Sequence, residues 1–347
     1  MQILAIDLGK DKSVACEYEM TTGRSVYRTV PSTDRGWHDL ILETRPDRVV
    51  IEIGPQAGRV YDLVTAMGIE IQVANPSHEA WRWRKVKSKT DRKDALKLGR
   101  LSALNQLPMV YMPAPEVRQW RELIQYRQSL VKRRTAIKNS IRAMLTRAGV
   151  RTAAGPCGWT KKSLQKLHDL ATIEDRQPWR ASLAEDLLQL ELVQHSIGRI
   201  ERELEQIARR DDRVQLLKTI PGVGDRLAET LVAVIDDPHR FRRGREVASY
   251  VGLTPRQFQS GSMNRQGRIT GHGHRVLRSL LVQVAWLGQR YNPWMQEVFE
   301  QVRRGSDANK KIAIVAVARR LLIRCWAMMR DGTPWRAAEH STLRLVA

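Results

Sequence analysis

The feature that most constrains this chain is an alternation of short β-like runs with helical stretches across its first hundred residues. Residues 3–7 read as a strand, and residues 13–20 as a second that pairs with it across a turn at 9–12. RVVIEI at 48–53 is a buried strand that ends at Gly54 and Pro55. A helix is expected over 57–67, another strand over 70–73 with Asn75 and Pro76 ending it, and a helix over 91–105. On that last helix Ala95, Leu98, Leu101 and Leu104 share one face. Strands interleaved with helices specify an α/β domain that opens on a strand hairpin.

From Pro115 the pattern becomes helical. Residues 117–148 read as one long helix with a sparse apolar stripe, and 149–159 break it. A second long helix over Trp179–Arg209 carries Leu183, Leu187, Leu190, Val193, Ile197, Ile200 and Leu204 at three-to-four spacing. Such a pair predicts either antiparallel packing within the chain or a coiled-coil dimer arm. Arg118, Arg121, Arg127, Lys132, Arg133, Arg134 and Lys138 on the first helix form either a nucleic-acid-binding face or an ordinary solvated one. A third region starts near Val214. It holds IPGVG at 220–224, a helix over Asp225–Ile235, a Gly-rich stretch over 252–273 and two further helices. Residues 312–329 are apolar, but Arg319, Arg320 and Arg324 interrupt them, which predicts a buried amphipathic helix and no membrane span.

Charge narrows the function. Lys and Arg number 59 against 37 Asp and Glu, a net +22. A chain this basic binds polyanions through counterion release, so nucleic acid is the expected partner. The opening MQILAIDLGK is too short in apolar residues for a signal peptide. Cys16, Cys157 and Cys325 are widely spaced, without ligand or disulfide patterning, which fits a reducing cytoplasm.

Four acids stand out. Asp7 ends the first strand and Glu52 a later one, while Asp91 and Asp94 lie about a turn apart at a helix start. Each alone is unremarkable: Asp91 suits a first helical turn capped by Thr90, and AIDLG would equally suit an actin-like or sugar-kinase ATPase. Clustered carboxylates repel unless a cation lies between them. Mg2+ meets that need, prefers oxygen ligands, and supplies phosphodiester chemistry. The Gly-rich stretch reads as an exposed, flexible, basic loop in which Ser260 and Ser262 flank Gly261, with Arg256, Arg265, Arg268 and Arg275 nearby as phosphate binders. Serine there is either a turn residue or a nucleophile. His272 and His274 suit a phosphate contact or a loop cap better than a metal.

AIDLGKDKS, VVIEIGPQAG and KSKTDRKDALKLGRL, in that order, resemble the DEDD transposases of insertion-sequence family 110. GL-x-P, S-G and G-R-I-T in the Gly-rich stretch, with LxxIPGVG before them, are similar to that family's C-terminal domain. The resemblance implies an RNase H-like (RuvC-like) α/β domain over 1–112 and a long helical or coiled-coil linker over 113–212. A mainly α C-terminal transposase domain over 213–347 would follow, with a helix-hairpin-helix-like turn. It makes Asp7, Glu52, Asp91 and Asp94 the Mg2+ ligands and Ser260, or its neighbour Ser262, the nucleophile. Lys89, Lys93, Arg133, Arg134 and Lys138 join the four arginines of the Gly-rich stretch as nucleic-acid contacts. The implied activity is cleavage and rejoining of donor and target DNA by a dimer or tetramer, guided by a structured noncoding RNA. Two alternatives stay open: a Holliday-junction resolvase needing no serine, and a basic nucleic-acid-binding protein without catalysis.

Overall fold

The computed structural model describes residues 1–75, 90–173, 177–260 and 263–336. Lys89, Gly261 and Ser262 lie outside the described residues. The chain divides into two compact units, Met1–Pro115 and Glu116–Ala347.

The first unit is built on a five-stranded mixed sheet in the order β3-β2-β1-β4-β5. Its strands are β1 (Gln2–Asp7), β2 (Lys12–Glu19), β3 (Ser25–Pro31), β4 (Arg48–Glu52) and β5 (Glu70–Ala74). β1 pairs antiparallel with β2 and parallel with β4, and β4 pairs parallel with β5. Continuous apolar runs in β1 and β4 follow from burial on both faces. Leu4, Ile6, Val49 and Ile51 pack on one side with Trp37, Leu40 and Ile41 of α1 (Asp34–Thr44) and with Val60 and Val64 of α2 (Ala57–Ala66). Ile3, Ala5 and Val50 face the other way, against Ala95 and Leu98 of α3 (Asp91–Ala103). The unit is an α/β fold, a mixed sheet with helices on both faces. β3 and α1 extend the pattern read from the sequence: β3 is an edge strand that exposes Val26, Arg28, Thr29 and Pro31, and Thr33 caps α1.

The second unit is mostly helical. α4 (Pro115–Arg147) and α6 (Trp179–Arg209) run antiparallel. Ile141 and Leu145 of α4 meet Leu183, Leu187 and Leu190 of α6, with Leu167 of α5 (Lys161–Ala171), in one cluster. At the other end Trp120 and Ile124 of α4 join Leu204 and Ala208 of α6 in the main core. That core also takes in α7 (Asp212–Lys218), α8 (Asp225–Ile235) and α9 (Gly244–Val251). Among the described residues three helices follow the Gly-rich stretch where two were expected: α10 (Arg275–Gly288), α11 (Pro293–Arg303) and α12 (Lys310–Asp331). Asn292 caps α11 and Pro293 starts it, so one expected helix becomes two. α12 is the amphipathic core helix, and among the described residues no helix is long and apolar enough to cross a membrane.

The Gly-rich stretch is a second departure from expectation. It is an antiparallel hairpin of β6 (Pro255–Ser260) and β7 (Met263–Ile269), and not a flexible loop. Two of its glycines sit at its root. Gly252 and Gly273 have φ of +79° and +85°. A Cβ on them would fall 1.7 Å from the His272 carbonyl oxygen and 2.0 Å from that of Tyr250. They let two backbone segments cross rather than make the region mobile.

Candidate active site

Strand order places the first cleft. After β1 the chain leaves toward β2, and after β4 it leaves the opposite way through α2 to β5. The crevice that opens beyond the carboxyl ends of such diverging strands is where open α/β sheets bind ligands. Ile6 of β1 is paired with Ile51 of β4, so the next residues, Asp7 and Glu52, emerge side by side at that crevice. α3 packs on β1, β2 and β4 and brings its N-terminal turn, capped by the Thr90 side chain, to the same end. Asp7, Glu52, Asp91 and Asp94 therefore line one cleft of about 620 Å3, with Lys10, Lys12 and Gln56. Asp94 is 7% exposed, Asp7 and Glu52 are half-buried, and Asp91 is exposed.

The rim of the cleft is fixed by a buried polar relay. Ser13 Oγ accepts from Trp37 Nε1 at 3.0 Å and bonds Ser32 Oγ at 2.8 Å; Ser32 Oγ donates to the Gly9 carbonyl at 2.7 Å. Across the cleft, Gln56 Nε2 donates to the Lys10 carbonyl at 3.2 Å, tying the turn after β4 to the turn after β1. Lys97, one turn beyond Asp94, was not singled out from the sequence. Burial lowers its ammonium pKa, opposed by the nearby carboxylates of Asp94 and Glu52. Its signal was there: Asp94 and Lys97 share a helix face at i,i+3 spacing.

Carboxylate oxygens of this kind suit a hard divalent cation. Among the described residues no three carboxylate, imidazole or thiol groups are close enough to hold one ion by themselves. A divalent cation there would meet the acids in pairs and complete its shell with water and phosphate oxygens. Gln56 Oε1, buried on the cleft wall without a hydrogen-bond partner, adds a neutral oxygen acceptor.

In the second unit Ser260 is exposed at the end of β6, and Arg256, Arg265 and Arg268 are exposed on the same hairpin. Arg275 is exposed in the first turn of α10. The residue that locks the hairpin root was missed: Arg278 donates to the carbonyls of Val251, His272 and Gly271 at 2.8, 3.1 and 3.0 Å. His274 caps α10 by accepting from Leu277 N. Burial, with Arg121 and Arg278 nearby, pushes its pKa down to about 4, so the ring stays neutral and able to accept.

The basic face expected on α4 is smaller than the sequence suggested. Arg127 is 5% exposed and paired with the buried Glu229 of α8. Arg121 donates to the Ala233 and Val234 carbonyls at 2.6 and 2.9 Å, satisfying the C-terminal end of α8. These two arginines hold helices together. Lys132 and Arg133 are exposed, Arg134 half-buried, and Lys138 lies 4.7 Å from the centre of the Trp159 ring. Lys93 is exposed in the first turn of α3. The IPGVG turn joins α7 to α8, with Gly222 at φ +93° and the Pro221 carbonyl held by Asn292 Nδ2 at 3.0 Å.

Comparison with known proteins gives two family matches, the first running past the end of the first unit into α4. Residues 4–149 match a family described as "Transposase", the DEDD type of IS110, and residues 214–300 match the "Transposase IS116/IS110/IS902 family". The transposase for insertion sequence element IS1111A of Coxiella burnetii is 29% identical over 97% of this chain and 92% of its own. The pilin gene-inverting protein of Moraxella lacunata is 25% identical over 97% of this chain and 98% of its own. The Thermus thermophilus RuvC structure aligns with 32% of this chain and 100% of its own at 11% identity, with a TM-score of 0.26. The class is therefore that of DNA transposases and recombinases. The chain belongs to the IS110 family of transposases.

Proposed function

We propose that this transposase cuts and rejoins DNA with Mg2+ held by Asp7, Glu52, Asp91 and Asp94 and with Ser260 as nucleophile. The observation that carries the reading is the meeting of all four acids in one cleft at the carboxyl ends of β1 and β4. When bound there, Mg2+ would neutralise charge on the scissile phosphate and its leaving oxygen. Ser260 Oγ attacks phosphorus, the phosphodiester P–O bond breaks, and the departing DNA oxygen takes up a proton as a hydroxyl. A phosphoserine links protein to strand. The hydroxyl of a second strand then attacks that phosphorus and returns the proton to Ser260, so the phosphodiester count is conserved without hydrolysis. Arg256, Arg265, Arg268 and Arg275 hold flanking phosphates, as do Lys89, Lys93, Arg133, Arg134 and Lys138.

The reading extends to a structured guide RNA that selects donor and target DNA by base pairing, and to an assembly of two or four copies. Kinship with the family supports both, and the net charge of +22 suits more than one polyanion. Strand cleavage of element-end DNA by Ser260→Ala, Asp7→Asn and wild type, each with and without co-purified RNA, tests it. Loss in both variants supports the reading. Cleavage by Ser260→Ala at the wild-type rate would show that the acids work without the serine, and sequencing that finds no discrete RNA would remove the guide.

A further inference from the structure

Phe258 is one of three phenylalanines in the chain. Phe241 and Phe299 are each 9% exposed, whereas Phe258 is 56% exposed on β6. It pairs across the hairpin with Arg265, as Ser260 pairs with Met263. Alternation along the strands puts Phe258 and Ser260 on one face with Met263 and Arg265. Arg256 belongs there too. A Cβ built on Gly267 would lie 3.1 Å from Phe258 Cε2 and 3.6 Å from Arg256 Cβ, so all three project to the same side. One part of the ring therefore covers the bare backbone of Gly267, a structural use of the aromatic. That use leaves more than half of the residue in solvent, on a two-stranded sheet bracketed by guanidinium groups.

An open π-face between cations is the chemistry that binds an unpaired nucleobase: the ring stacks on the base and the arginines meet the adjoining phosphates. Ser260 is two residues along the strand, ~7 Å, which spans one or two nucleotides of a DNA strand. We propose that Phe258 is a stacking platform for an unpaired DNA base beside the phosphate that Ser260 attacks, with Arg256 and Arg265 holding the flanking phosphates. The placement beside the reacting phosphate rests on the reading of Ser260 as nucleophile; the stacking does not. A base inside a duplex is already stacked on its neighbours, so the platform favours single strands or a base drawn out of the stack.

The test uses the full chain and a dye-labelled single-stranded DNA oligonucleotide, alone or with a single 5-iodouracil for photo-crosslinking. Phe258→Leu keeps an apolar cover on Gly267 but removes the ring. It should weaken single-strand binding about five- to 150-fold, the range for loss of one stacked base, with duplex affinity changed less than twofold and the melting temperature preserved. Phe258→Trp should restore binding, and the crosslink should map to residue 258. Wild-type affinity in Phe258→Leu, an equal loss on duplex, or a crosslink mapped elsewhere overturns the proposal. Tighter binding and crosslinking of RNA of the same sequence overturns the assignment to DNA. Ser260→Ala separates the two readings, since it should retain the crosslink while losing cleavage. If it still cleaves, the nucleophile assignment fails and the platform stands.

Discussion

Asp7 and Glu52 follow Ile6 and Ile51, which face one another in register on adjacent parallel strands, so the two carboxylates leave the sheet at the same edge. Strand geometry fixes their proximity, and no flexible loop is needed to bring them together. Asp7→Asn or Glu52→Gln should then reduce Mg2+-dependent strand cleavage by on the order of 10²–10³-fold. Removing one of two neighbouring like charges should leave the melting temperature unchanged or slightly raised. Cleavage assays beside thermal melts check both.

Lys97 sits beside Asp94 and Glu52 and partly neutralises them. Lys97→Met should make the cleft more negative and lower the Mg2+ concentration for half-maximal binding by roughly three- to tenfold. It should also lower the melting temperature more without Mg2+ than with it. Calorimetric titration of Mg2+ and paired melts read this out. Unchanged affinity would mean that Lys97 does not share the field of the acids.

Arg127 and Arg133 look alike in the sequence and differ in the fold: one is buried against Glu229, the other exposed on α4. Arg127→Met should destabilise by about 3–5 kcal/mol, because it leaves a buried carboxylate unpaired, and pairing it with Glu229→Leu should recover much of that. The salt dependence of DNA binding should be unaffected. Arg133→Ala should leave stability within about 0.5 kcal/mol and reduce the slope of log affinity against log salt by about 1.

His274 has its pKa pushed down to about 4 from an ordinary 6.5. Below pH 6.5 the unfolded chain takes up a proton that the folded chain refuses, so stability is fully present above 6.5 and falls as pH drops toward 4. His274→Asn, which keeps a capping acceptor, should flatten that part of the stability–pH curve, as denaturant titrations at several pH values would show.

Much of this was legible in the sequence because local chemistry determined it. The apolar runs of β1 and β4 are what burial on both faces requires, and the stripe from Leu183 to Leu204 is what a helix with one buried side requires. Asp7, Glu52, Asp91 and Asp94 could be named from their strand-end and helix-start positions, although only the sheet order explains why they share a cleft. What escaped depends on distant partners. Arg127 reads as a surface charge until Glu229, 102 residues away, is packed against it. The hairpin reads as a loop because an exposed two-stranded sheet needs no alternation of apolar residues. Gly252 and Gly273 mark the backbone crossing at its root, which Arg278 clamps from seven residues beyond Gly271.

The measurement closest to the central claim is mass spectrometry of the protein after reaction with element-end DNA and Mg2+, denatured and digested to peptides. The account predicts a nucleotide linked to Ser260 in the wild type and no such adduct in Asp7→Asn or without Mg2+. Cut DNA with no adduct on the protein, or an adduct that persists when all four acids are replaced, would contradict it.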